Sequence, residues 1–216
     1  MSSAFSSGVT KTLLLSACLF TLSSCYSVDG QPRAEFSPTS SIGATPSTNT
    51  IRQTDDHGRS LPFSTKFPRR WSNGNDGTTY EPCTAATESI LIANSLDPRS
   101  ARDAAAADHQ TARGCMWSLS DRNLASLSQF VGNQPDLDTY KQMNAQFVTW
   151  RADISMSGRR VAVSTTPSIP ECTTFVRSGD AIVVTDLSIS IDAPPINEIC
   201  DKAIAFTRAT IDQMPE

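Results

Sequence analysis

The sequence predicts an α+β domain: an antiparallel sheet of about five or six strands, helices packed on one face, and two disulfides. Three observations carry this. Two pairs of alternating apolar segments flank short glycine turns, Ser157-Gly158 and Ser178-Gly179-Asp180, which is the pattern of β-hairpins. An apolar stripe at helical spacing, Ile196, Ile199/Cys200, Ala203/Ile204, Thr207 and Ile211, closes the chain. Hairpin connections make antiparallel pairs, and such a sheet buries a face under helices.

The elements follow in order. Glu81-Pro82-Cys83 opens a helix expected over 83–95, with proline where its missing N–H costs nothing and Ala86, Ile90, Ala93 and Leu96 on one face. Asp97-Pro98 then caps a short alanine-rich helix over 99–106. Strands follow at 114–119, with Cys115, Trp117 and Leu119 on one side, and at 124–131, with Ala125, Leu127, Gln129 and Val131 on one side. A turn at 132–135 leads to a helix over 136–144, capped by Asp136 or Asp138. Val148, Trp150, Ala152, Ile154 and Met156 alternate as one long strand, and 160–165 returns beside it. The second hairpin spans 173–177 and 181–187, where Ile182-Val183-Val184 suggests cover on both faces. After Pro194-Pro195, Asn197 is placed to cap the last helix.

Before the domain comes an export leader. Lys11 precedes an apolar run of about ten residues, Leu13 to Phe20, within the span of a signal-peptide core and short of the roughly 20 residues that cross a bilayer. Leu22-Ser23-Ser24-Cys25 then resembles the bacterial lipobox, whose cysteine carries diacylglycerol after cleavage just before it. The resemblance implies a cut between Ser24 and Cys25 and lipidation of Cys25. Two acyl chains give stable anchoring where one is marginal, at about 0.8 kcal/mol per buried CH₂. Residues 25–64 are rich in Ser, Thr, Pro and Gly without apolar period, and read as a flexible tether in which the hydroxyls at 39–50 are open to glycosylation. The expected organisation is therefore a signal peptide at 1–24, a lipid-anchored tether at 25–64 and one domain at 65–216.

Of six cysteines, Cys18 leaves with the leader and Cys25 takes the lipid, so Cys83, Cys115, Cys172 and Cys200 remain. An even number in an exported chain indicates disulfides, and four cysteines allow three pairings. Sequential pairing, Cys83 with Cys115 and Cys172 with Cys200, is the economical one, tying a helix to the sheet at each end. No Cys-x-x-Cys pair suggests zinc or thiol redox chemistry.

Charge narrows the partners. Removing Lys11 with the leader takes the formal net charge from −4 to −5, against general nucleic-acid binding. Asp55-Asp56-His57 and His109 read as solvated polar residues, and Lys66-Phe67-Pro68-Arg69-Arg70-Trp71 as a basic lead-in with Trp71 at the core edge; lipid headgroups or a glycan are the functional alternatives for that run. Residues 73–79 form a turn whose oxygens lack the calcium-loop spacing. No cofactor, metal or catalytic motif is readable. Among the acids (Glu81, Glu88, Asp97, Asp103, Asp121, Asp136, Asp138, Asp153, Glu171, Asp180, Asp186 and Glu198) no spacing singles out a pair.

Three segments together look familiar: Arg70-Trp71-x-Asn73…Gly77-Thr78-x-Tyr80-Glu81-Pro82-Cys83, then Ala101-Arg102-Asp103-Ala104, then Arg113-Gly114-Cys115-x-Trp117. They resemble an uncharacterised family of actinobacterial lipoproteins that carry a domain of unknown function, over roughly 65–214. The resemblance implies a lipobox and paired cysteines and brings no catalytic residues.

The leading expectation is a monomeric, non-enzymatic lipoprotein held on the extracytoplasmic face of the cell membrane through Cys25, binding an envelope protein, glycan or lipid. The alternatives are a cell-envelope hydrolase, which needs two carboxyls facing across a cleft, and a lipid carrier, which needs an apolar cavity lined by Val148, Trp150, Ile154, Ile182 and Val184.

Overall fold

The computed structural model describes residues 50–134 and 136–216. Cys25, the leader and the tether up to residue 49 lie outside the described residues.

Helix α1 is Pro82–Ala85 and α2 is Glu88–Ala93. The single helix expected over 83–95 is broken between them, because Thr87 turns extended and its Oγ1 accepts from Ile90 N at 3.4 Å as an N-cap. A 3-10 turn, Pro98–Ser100, follows under the Asp97 cap. The alanine-rich helix expected to continue to 106 does not form. Its residues have little to bury, and Arg102–Asp103 pairs instead as strand β1.

The remaining elements are β2 Ala112–Ser118, β3 Ala125–Asn133, α3 Leu137–Asn144, β4 Thr149–Trp150, β5 Ile154–Met156, β6 Arg159–Thr165, β7 Glu171–Ser178, β8 Ala181–Ile189 and α4 Ile196–Thr210. They build one antiparallel sheet in the order β1-β2-β3-β8-β7-β6-β4, with β5 also on β6. The sheet has eight strands, more than the expected five or six. The excess comes from β1 and from the long strand read at 148–156, which divides into β4 and β5. At the division, Asp153 is drawn to Lys141 Nζ at 2.7 Å and to Arg160 Nε at 2.6 Å. Both hairpins form as expected. Ser157 and Gly158 at the first turn have φ of 46° and 77°, the positive values that tight hairpin turns need.

Successive residues of a strand point to opposite faces. On one face, Cys115, Trp117, Leu127, Val163 and Leu187 pack against α4 through Ile199, Ala203 and Phe206. Each such fully buried side chain contributes about 1.5–3 kcal/mol. Phe206, absent from the expected stripe, meets the Trp117 ring at 5.7 Å, while Ile196 at the start of the stripe is exposed. Asn197 does not cap α4; its Oδ1 accepts from Arg151 instead. Helices are not confined to this face. Helix α3 covers part of the other one, where Leu137 joins Ala162, Phe175, Ile182 and Val184 and where Tyr140 and Trp150 lie about the Phe175 ring.

The disulfides are Cys83–Cys115 and Cys172–Cys200, the sequential pairing. They tie α1 to β2 and β7 to α4 across Cα separations of 5.1 and 5.0 Å. Loops of about 30 residues give each about 3–4 kcal/mol in the chain-entropy account.

The end of the segment read as tether is folded onto the domain. Thr54 bridges to Ser60, Leu61 enters the core beside Cys83 and Trp117, and Gln53 exchanges hydrogen bonds with the Thr65 backbone at 2.9 Å. Asp55, read as solvated, is buried. It accepts from the backbone of His57 and Arg59, from Arg59 Nε and from Thr84 Oγ1. Composition alone misses this because the anchoring groups are polar and spaced for turns, not for a helix or strand.

Candidate functional site

Two groups of carboxyls stand out, with opposite surroundings. The first lies inside the domain. Arg70, Glu81 and Arg113 are each no more than 1% exposed. Glu81 Oε2 accepts from Arg70 Nη1 at 2.8 Å and from Arg113 Nη1 at 3.0 Å, while Oε1 accepts from Arg70 Nη2 at 3.1 Å. Arg70 Nε donates to Asp103 at 3.0 Å and its Nη2 to Gly114 O at 3.1 Å. Arg113 spends its other N–H groups on the carbonyls of Asn75, Thr78 and Tyr80. Burial alone would lower both guanidiniums; the pairing with Glu81 and Asp103 raises Arg70, whereas Arg113, beside Arg70, ends lower.

This cluster explains the three family-like segments. Arg70, Glu81, Asp103 and Arg113 come one or two from each segment and meet in one place, beside the Cys83–Cys115 bridge, where Arg70 Nη2 lies 3.4 Å from Cys83 Sγ. Gly114 fits the same design. A Cβ there would sit 2.1 Å from Gln129 O, so only glycine lets β2 and β3 close at that step. Every charge is compensated inside the group, so its work is to hold the loop 70–81 to β1 and β2.

The basic run is split accordingly. Arg70 is internal, and Trp71 is half-buried between Arg70 and Arg52, whose guanidinium carbons lie 4.7 and 4.1 Å from its ring centroid. Lys66 and Arg69 stay exposed, with Arg69 on the exposed His109 at 2.7 Å. In the loop 73–79, Asn75 is buried and donates to Arg70 O and Gln110 O, and Asp76 accepts from Asn133.

The second group lies on the face of the sheet away from α4. Register aligns seven side chains directly across the strands: Arg102, Met116, Ser128, Asp186, Thr173, Ser164 and Trp150. One step toward the strand ends, Ser118, Ser126, Ser188 and Glu171 form a parallel row. Ser126, Ser188, Asp186 and Glu171 keep partial exposure, whereas Ser128, Thr173 and Ser164 are buried. Thr173 Oγ1 donates to Asp186 Oδ1 at 2.9 Å, and Thr166 Oγ1 donates to Glu171 Oε1 at 2.7 Å. Ser164 Oγ, 1% exposed, has no hydrogen-bond partner. Lost hydration, then repulsion from Glu171, pushes Asp186 up to about 7; the Thr173 hydrogen bond opposes this.

Sequence reading named Glu171 and Asp186 only as two acids among many. The available signal was the small polar residues alternating with core residues at period two, Ser126 and Ser128 on β3 and Asp186 and Ser188 on β8. Finding the site needed the strand register. Of the residues expected to line a lipid carrier's cavity, Trp150, Ile182 and Val184 pack on the α3 side, and Ile154 packs into the clusters on the other side. No helix of the described residues is long and apolar enough to cross a membrane.

A family model described as a protein of unknown function (DUF3558) matches residues 20–213. No curated protein and no solved structure matches the chain.

Proposed function

Since the chain belongs to the DUF3558 family of proteins of unknown function, we propose its role from its own residues: a lipid-anchored protein of the cell surface whose domain binds a partner without transforming it. The observation that carries this reading is Leu22-Ser23-Ser24-Cys25 following a charged residue and a short apolar run. Two disulfides in the domain agree with an oxidising compartment outside the cytoplasm. Binding is favoured over catalysis by the disposition of the polar groups. The buried ionic cluster is fully paired, and the exposed acceptors of Asp186, Glu171 and Ser188 lie on a sheet face with neither histidine beside them.

A specific observation supports the hydrolase as second reading. Asp186, held near neutrality beside a second carboxyl, has the properties of a general acid. The two acids sit side by side on neighbouring strands, however, and do not face one another across a cleft.

Intact mass of the protein extracted from native membranes tests the reading. The expected species lacks residues 1–24, carries two or three acyl chains on Cys25, and gains about 4 Da on reduction. An unlipidated mass would overturn the address.

A further inference from the structure

We propose that the block formed by Asp186, Glu171, Ser188 and Thr173 on the sheet face is a binding site for a primary ammonium group, with the rest of that ligand lying along the row through Ser164. This rests on the reading of the domain as a non-catalytic binding module and names its ligand chemistry.

The geometry comes from register. Glu171 stands opposite Ser188, and Thr173 opposite Asp186, so four side chains form a square on two paired strands. Directly opposite side chains have Cβ atoms about 4.5–5.5 Å apart, and diagonal ones about 7–8 Å. One oxygen of each carboxyl is already held by a threonine hydroxyl, Asp186 Oδ1 by Thr173 and Glu171 Oε1 by Thr166. The other oxygen of each carboxyl is open. With Ser188 Oγ they offer three acceptors, and a primary ammonium has three N–H donors.

The charge balance selects a cation. The groups facing Asp186 are Glu171 from β7, Ser126 and Ser128 from β3, Ser164 from β6, and Met116 and Arg102 at the far end of the row. Arg102 is turned onto Met116 Sδ at 2.9–3.1 Å. Two carboxyls thus share a half-dry surface with no cation between them, and the proton that Asp186 retains takes the place a cation would fill. A bare metal ion fits less well, because no three metal-ligating acidic, histidine or cysteine side chains gather among the described residues.

Ser164 is the independent sign of an extended ligand. A buried hydroxyl without a partner is costly, and it lies in the same row, one strand beyond Thr173. Its Oγ is closed off without a ligand, so a polar body attached to the ammonium meets it as the side chains over the row part.

Calorimetric titration of the full chain tests this, with lysine amide and ethanolamine as probes and tetramethylammonium and calcium as controls. Both amines bind, and tetramethylammonium, which has no N–H, does not. Affinity rises about fivefold from pH 6 to pH 7 and about twofold more by pH 8, where it levels off, because the amine displaces the Asp186 proton. Asp186→Asn and Glu171→Gln each weaken binding at least tenfold, whereas Asp180→Asn, an exposed acid on the β7–β8 turn, leaves it unchanged. Absence of binding at pH 8, equal binding by Asp186→Asn, or binding of calcium alone would overturn the site. In each of those cases a lipidated mass still supports the surface-anchored binding module. An amine recovered in altered form would overturn both.

Discussion

Two groups of carboxyls in low-dielectric surroundings, one around Glu81 and one around Asp186, are treated in opposite ways. Glu81 is fully buried and meets two guanidiniums, and Asp103 meets one of the same pair. Asp186 is less buried, yet meets only a threonine hydroxyl and a second carboxyl. Compensation is the rule for a structural charge, because an unpaired buried ion costs several kcal/mol. The uncompensated pair therefore marks the part of the sheet whose chemistry the domain does not complete by itself.

Substitutions separate the two regions. The largest effect is expected for Glu81→Gln, which leaves Arg113 in the interior without a carboxylate partner and Arg70 with Asp103 alone. A loss of about 3–5 kcal/mol is expected from denaturant midpoints at pH 7, and a loss under about 1 kcal/mol would mean the cluster is dispensable. Gly114→Ala attacks the same region through the backbone. Its methyl must displace Gln129 O and the Phe130 Cα, and a loss of about 3 kcal/mol is expected.

Asp186→Asn should act in the opposite direction. The folded state holds the Asp186 proton up to about pH 7, and the unfolded chain releases it near 3.8. Stability from this group is thus full below pH 4 and declines as pH rises from about 4 to about 7. At pH 8 the variant should be more stable than the parent by about 4 kcal/mol, and at pH 4 close to equal to it. Melting curves at the two pH values read this directly, and equal gains at both would show that burial, not charge, is responsible.

Asp55 gives the mirror image at a similar or smaller size. Burial raises it, but hydrogen bonds from Thr84, Arg59 and His57 outweigh burial and lower it to about 2. Its contribution is present above pH 4 and is lost as pH falls toward 2. Asp55→Asn is expected to cost about 2 kcal/mol at pH 7 and much less at pH 2.5. An unchanged cost at low pH would remove the charge from the explanation.

Much of the scaffold was legible. Both hairpins, the terminal helix and the sequential cysteine pairing follow from local signals: glycine turns, a helical stripe and chain order. The failures share a cause. The 83–95 helix broke at Thr87 and the 148–156 strand divided near Asp153, in each case because a polar side chain found a better local or tertiary partner than the regular ladder offered. The folded segment at 51–64 was missed for the same reason, since Asp55 and Gln53 hold it by side-chain hydrogen bonds. The candidate site was invisible because its members, on β7 and β8 with Ser164 on β6, are adjacent only through register. The Arg70, Glu81 and Arg113 residues were visible as a pattern, but only the fold shows that the pattern is a buried ion cluster.

The most direct test of the contrast is the titration of the Asp186 side-chain carboxyl carbon by NMR, assigned through Asp186→Asn. The account predicts a midpoint near 7. A midpoint near the ordinary 3.8 would show that the sheet face is as well compensated as the interior, and would contradict the distinction drawn between the two regions.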